Sequence, residues 1–119
     1  MTLLIIDDEP RNIFALGAVL KAKGYKVLSA ASAPEGFDVL RREPAVRAVL
    51  LDMMMPEMDG PQALAALRAD AGLRHLPVIA VTAQAMAGDR ERALDAGADA
   101  YVSKPVDVDE LLRLLKQYE

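Results

Sequence analysis

The chain has 119 residues, no cysteine and one histidine, and 18 acidic against 14 basic residues leave a net charge of −4. One domain of that length can bury roughly two-thirds of its unfolded surface. The missing thiols exclude disulfides, thiolate catalysis and cysteine zinc sites, and the lone His75 cannot build an imidazole metal site, so any metal must be held by oxygen. The acidic balance argues against a nucleic-acid surface, no apolar run reaches the length of about 20 residues that a membrane span needs, and the N-terminus lacks a signal-peptide pattern; the expected setting is the cytoplasm.

Thr2-Leu3-Leu4-Ile5-Ile6 is an apolar, β-branched run that stops at Asp7-Asp8-Glu9-Pro10, the pattern of a buried strand delivering carboxylates to its C-terminal edge. A helix from about Arg11 to Lys23 follows, with Ile13, Leu16, Gly17 and Leu20 on one face and Gly24 as its stop. Tyr25 to Ala30 reads as a short edge strand because Lys and Ser alternate with its apolar residues. Ser32 and Glu35 form a capping box for a second helix carrying Phe37 and Leu40 inward. Ala48-Val49-Leu50-Leu51 is a short, unalternating apolar run that stops at Asp52, a strand buried on both faces with a carboxylate at its end.

The loop Met53 to Gly60 leads to Pro61 in the first turn of a third helix, whose buried stripe is Ala63, Leu64 and Leu67 and whose end is Gly72. Pro77 to Val81 is a fourth buried strand stopping at Thr82. A weakly amphipathic fourth helix, roughly Gly88 to Ala96, has Leu94 as its one large apolar residue beyond the flanking Met86, and such a helix is held loosely. Asp99 to Val102 is a fifth strand ending at Ser103-Lys104-Pro105. The last helix buries Val108, Leu111, Leu112 and Leu115. Strand and helix alternate five times, which predicts a single α/β domain over 1–119, without an output domain, built on a doubly wound parallel sheet. The flavodoxin-like strand order 2-1-3-4-5 puts the first and third strands side by side, so that Asp7, Asp8 and Asp52 converge.

Four strand ends thus offer Asp7-Asp8, Asp52, Thr82 and Lys104 to one crevice. Close carboxylates repel unless a hard cation sits between them, and Mg²⁺ suits a site of a few carboxylates with room for phosphate oxygens. With its charge shielded, Asp52 can attack phosphorus and form an aspartyl-phosphate. Lys104 and the Thr82 hydroxyl can meet the charge on the transferring group. Acidic clusters are usually solvated surface, but two uninterrupted apolar strands ending in carboxylates argue for a site. Thr82 or Lys104 alone would be unremarkable. Among the methionines only Met54 is given a role; Glu57 and Asp59 are assigned to the loop turn, His75 to solvated surface, and Leu114 and Tyr118 to the flank of the last helix's buried stripe.

The ordered set Asp7-Asp8, Asp52 with Met55-Pro56 and Asp59-Gly60, Thr82-Ala83 and Lys104-Pro105 resembles the receiver domains of two-component response regulators over essentially the whole chain. The resemblance implies that Asp52 accepts a phosphoryl group from a phosphohistidine on a sensor histidine kinase or a histidine phosphotransfer protein. Such domains catalyse their own phosphorylation and dephosphorylation rather than turn over a substrate. It implies Mg²⁺ held by the Asp8 and Asp52 side chains and the Met54 backbone carbonyl, with Asp7 acting directly or through water. Lys104, joined to Pro105 by a cis bond, would pair with the phosphoryl oxygens. Thr82 would move towards the phosphoryl group and Tyr101 would swing inward, altering the face of the fourth helix, fifth strand and fifth helix for a downstream target. Met54 and Gln84 occupy positions resembling those that tune phosphate lifetime. The run Asp8-Glu9-Pro10-Arg11-Asn12 resembles receivers of hybrid kinases, which makes a phosphorelay carrier the alternative to a signalling switch. A haloacid-dehalogenase-type phosphatase is disfavoured because Met54 stands where a second acid belongs, and a flavodoxin because Asp7-Asp8-Glu9 would repel a flavin phosphate.

Overall fold

The computed structural model describes residues 1–55, 60–82 and 88–118, with Gly60 and Asp89 described in their backbone. Its elements are β1 (Thr2–Ile6), α1 (Pro10–Ala22), β2 (Lys26–Ala30), α2 (Ala33–Arg42), β3 (Val46–Asp52), α3 (Gly60–Ala69), β4 (Val78–Thr82), α4 (Asp89–Asp95), β5 (Ala100–Ser103) and α5 (Val108–Lys116). The strands form one parallel sheet in the order β2-β1-β3-β4-β5. β1 and β3 are therefore neighbours, with Ile6 opposite Leu51 in the register, and each strand delivers its next residue, Asp7 and Asp52, to the same edge.

Successive strand residues point to opposite faces, and two cores result. Leu4, Ile6, Val49, Leu51, Val78 and Ala80 pack towards α2, α3 and α4, whereas Leu3, Ile5, Leu50, Ile79, Val81 and Val102 pack towards α1 and α5. The central strands carry no polar alternation because both their faces are covered. β2, at the edge, keeps only Ala30 fully buried.

Helix ends follow their local chemistry. Pro10 opens α1 after Glu9, whose carboxylate accepts the Arg11 N–H, and Gly24, at φ +95°, turns the chain out beyond Lys23. Ser32 caps α2 by accepting the Glu35 N–H, while the Glu35 carboxylate accepts the Ala31 N–H, one residue before the cap.

Several expectations shift in detail. The inward face of α2 is Ala33, Gly36, Val39 and Leu40, with Phe37 only half-buried against the core. Helix α3 ends at Ala69, not Gly72, because the Asp70 carboxylate accepts the Gly72 N–H at 2.8 Å and holds a turn there. In α4 the buried side chain is Ala93, and Leu94 faces solvent. Leu114 and Tyr118 are half-buried against the α1–α5 core, and His75 is exposed. Ala83, Gln84 and Met86, like Pro56, Glu57 and Asp59, lie outside the described residues. Among the described residues no helix is long and apolar enough to cross a membrane.

Candidate functional site

The carboxyl edge of the sheet gathers the expected residues. One carboxylate oxygen from each of Asp7, Asp8 and Asp52 lies within 4.8 Å of the other two. Asp7 and Asp52 are buried and Asp8 is exposed, so the cluster has a closed floor and one open side. Backbone amides orient the buried pair: the Glu9 N–H donates to Asp7 at 2.8 Å and the Met54 N–H to Asp52 at 3.0 Å. Both bonds span two residues, a turn that begins where each strand stops.

Lys104 enters from the opposite side. Its Nζ is 3.4 Å from Asp7 and 3.8 Å from Asp52. Its backbone N–H donates to the Thr82 carbonyl at 2.7 Å, which fixes the loop after β5 against the end of β4, and the Lys104–Pro105 peptide is cis. Burial pushes the Asp52 carboxyl above its ordinary range, and the neighbouring Asp7 adds to this, while the Met54 N–H and the Lys104 ammonium pull it back. An ammonium alone therefore does not neutralise the cluster. Three hard oxygen donors this close, with one exposed, fit a cation such as Mg²⁺ better than a soft metal.

Thr82 is buried at the end of β4, and Tyr101 is half-buried in β5, opposite Ala80 in the register. Together with Met53, Met54, Arg92 and Ala93 they line a cavity of about 160 Å³. A second cavity, of about 290 Å³, runs from Asp7, Asp52 and Lys104 between α1 and the Pro105–Val106 segment, walled by Leu16 and Val19. Met54 is exposed at the rim. Gln84 lies outside the described residues. Arg92, absent from the ordered motif set, also lines the Tyr101 cavity, and its Nη1 lies 3.7 Å from where a Cβ on Gly88 would stand.

A doubly wound sheet with an acidic trio and a lysine at its carboxyl edge defines a class of α/β domains with a charged site at the strand ends, and comparison with known proteins resolves which one. The profile of the response regulator receiver domain matches residues 3–116, and the chain belongs to that family. It is 38% identical over 117 residues to the polar-differentiation response regulator DivK of Brucella ovis, covering 98% of this chain and 94% of that protein. It is 43% identical over 118 residues to the response regulator Rre1 of Synechocystis, covering 98% of this chain and 50% of that protein. The crystallised receiver domain of the sensor histidine kinase PA1611 from Pseudomonas aeruginosa, which holds a magnesium ion in its active-site cleft, superposes with a TM-score of 0.81 at 35% identity, covering 98% and 95% of the two chains.

Proposed function

We propose that this receiver is a phosphoacceptor switch in which Asp52 takes a phosphoryl group from a phosphohistidine of a sensor histidine kinase or histidine phosphotransfer protein. The observation that carries this reading is the convergence of Asp7, Asp8 and Asp52 with the Lys104 Nζ at 3.4 and 3.8 Å from the buried pair. An Asp52 Oδ forms a bond to phosphorus while the bond from phosphorus to the histidine nitrogen breaks, and the imidazole leaves with its electron pair. Asp7, Asp8, Asp52 and the Met54 carbonyl would hold a Mg²⁺ ion, which supplies positive charge for the phosphoryl oxygens when bound. Lys104 neutralises a further oxygen from the β5 side, and the Thr82 hydroxyl donates to another. Tyr101, beside Thr82 along the same cavity, follows the Thr82 movement and changes the α4–β5–α5 face that a downstream target reads. Gln84, two residues after Thr82, and Met54, two after Asp52, are assigned to tuning the lifetime of the phosphoryl group.

The test is intact mass after incubation with acetyl phosphate and Mg²⁺. Gain of one phosphoryl group by the wild type, absent in Asp52→Asn and absent with EDTA, is the expected result. No gain where a control receiver is labelled overturns the reading. The likeness to the PA1611 receiver, part of a sensor kinase, favours a second reading: a phosphorelay carrier, which passes its label to a histidine phosphotransfer protein within minutes instead of retaining it for a target.

A further inference from the structure

Alternation along the strands turns the buried acids of the carboxyl edge towards one face of the sheet. Asp7 follows Ile5 by two residues and Asp52 follows Leu50 by two, so both carboxylates stand over the face that Ile5 and Leu50 present to α1 and α5. The cavity of about 290 Å³ lies on that face. Its floor is Ile5 and Leu50, and its walls are Leu16 and Val19 of α1 with Val106 and Val108 across from them. Solvent reaches it past Asn12, Ala15 and Pro105, all exposed. Among the described residues that line it, Asp7, Asp52 and Lys104 carry the only charges, and they stand together at one end.

An apolar groove with a charged end is complementary to an amphiphile, and size and charge say which one. An apolar cavity of about 150 Å³ is enough for benzene, so this groove takes an aromatic ring with a short tether. Aliphatic walls offer water no hydrogen bond, which favours an apolar body over solvent there. The charged end holds two buried carboxylates against one ammonium, with an oxygen of the exposed Asp8 within 4.8 Å of theirs. Lys104 stands 3.4 Å from Asp7 and 3.8 Å from Asp52, beyond the distance of about 2.8 Å at which an ammonium and a carboxylate bond most strongly. The excess charge is negative and largely buried, so a second cation is attracted more than it would be at the surface, and an anion is repelled.

We propose that this groove is a binding site for a small amphiphilic amine, with its ammonium on the Asp7 and Asp52 carboxylates and its apolar body against Leu16, Val19, Val106 and Val108. The site does not rest on the phosphoacceptor reading, because it asks of Asp52 only its charge. Its consequence for that reading is antagonism: an ammonium and a divalent cation draw on the same carboxylates, so each weakens the other.

The experiment is a titration of the full chain, followed by amide chemical shifts, with three ligands of similar shape: phenethylamine, phenethyl alcohol and phenylacetate. In the wild type the amine is expected to move the amides of Asn12, Val19 and Val106 and to bind about ten-fold more tightly than the alcohol, which lacks the charge-assisted bond. Phenylacetate is expected to bind most weakly. Asp7→Asn and Asp52→Asn should each cut the amine's advantage to about three-fold while the alcohol keeps its affinity. Val19→Phe narrows the groove and should weaken amine and alcohol alike by about five-fold. Should circular dichroism show that variant misfolded, Ala15→Leu, at an exposed helical position, takes its place. Absence of shifts at the groove, equal affinity for the three ligands, or phenylacetate as the tightest overturns the proposal. So does an advantage that neither asparagine substitution reduces, or an amine that binds undiminished in the narrowed groove. The mass gain from acetyl phosphate tests Asp52 as phosphoacceptor by a separate readout, so either reading can fail without the other.

Discussion

Replacing Asp52 by asparagine is expected to stabilise the metal-free protein while abolishing its chemistry. With carboxylate oxygens within 4.8 Å, the Asp7–Asp52 repulsion is about 3.5 kcal/mol at an effective dielectric near 20. The Lys104 ammonium, 3.8 Å from Asp52, returns an attraction of about 4.4 kcal/mol on the same scale. These nearly cancel, so burial of the charged carboxylate decides the sign, and the Met54 N–H offsets only part of it. The net cost of holding Asp52 ionised is then on the order of 1 kcal/mol. Asparagine keeps the shape and an acceptor for Met54 without the charge, and its melting temperature in EDTA at pH 7 should exceed that of the wild type by about 5 °C. Saturating Mg²⁺ should reverse the order, since ion at a hundred times its Kd adds about 2.7 kcal/mol to a protein that binds it and little to one lacking a ligand. The pH dependence has a definite sign. The folded carboxyl is raised above 3.8, so the cost is full above that raised value and fades as pH falls through it towards 3.8. The gap between wild type and variant should therefore narrow on acidification. Thermal melts followed by circular dichroism decide it: an Asp52→Asn variant that melts at or below the wild type in EDTA at pH 7 refutes this balance of charges.

Three further outcomes are expected. A Cβ at Gly36 would stand 2.8 Å from the Ile6 Cγ1 and closer still to its Cδ1; overpacking of about 1–3 kcal/mol, less up to about 1 kcal/mol of helix propensity, should make Gly36→Ala less stable by about 1–2 kcal/mol. Adding Ile6→Val removes Cδ1 and should recover part of that loss, and strict additivity in urea melts would show the contact to be unimportant. Lys104→Ala should keep the fold and still bind Mg²⁺, but phosphorylation should no longer shift the Tyr101 resonances; a wild-type response would remove Lys104 from the switch. Asp70 is held below 3.8 by the Gly72 N–H and then by Arg41, so it stabilises above that value and loses its effect as pH falls through the lowered one. Asp70→Asn should flatten the acid limb of melting temperature against pH, and an unchanged limb would contradict this.

Some of this architecture is written locally and some is not. Apart from the edge strand β2, each strand announces itself as an apolar run that ends at a polar residue, and parallel topology forces those ends onto one edge. Asp7, Asp52, Thr82 and Lys104 are legible for that reason: their position in space follows from their position at a strand end. The rim is harder. Arg92 reaches the Tyr101 cavity from α4, and a helical arginine carries no mark that separates such a reach from ordinary solvation. Leu94 is the one large apolar residue of α4 in the sequence, yet the fold exposes it and buries the smaller Ala93, and side-chain size alone does not tell which face of a weakly amphipathic helix turns inward.

Arg68 marks the limit most clearly. Four of its five hydrogen bonds go to backbone carbonyls, whose positions six, eight and 29 residues away carry no residue-type signature. Only Asp99 offers a side chain, and an arginine and an aspartate 31 residues apart are unremarkable in a chain that is 27% charged. The carboxyl edge is built from carboxylates and an ammonium that separate strand ends bring together. The remote edge is built on a guanidinium whose hydrogen bonds go to backbone carbonyls and Asp99. Strand ends can therefore be read from the sequence as a site, whereas an arginine held by backbone carbonyls is found only in the fold.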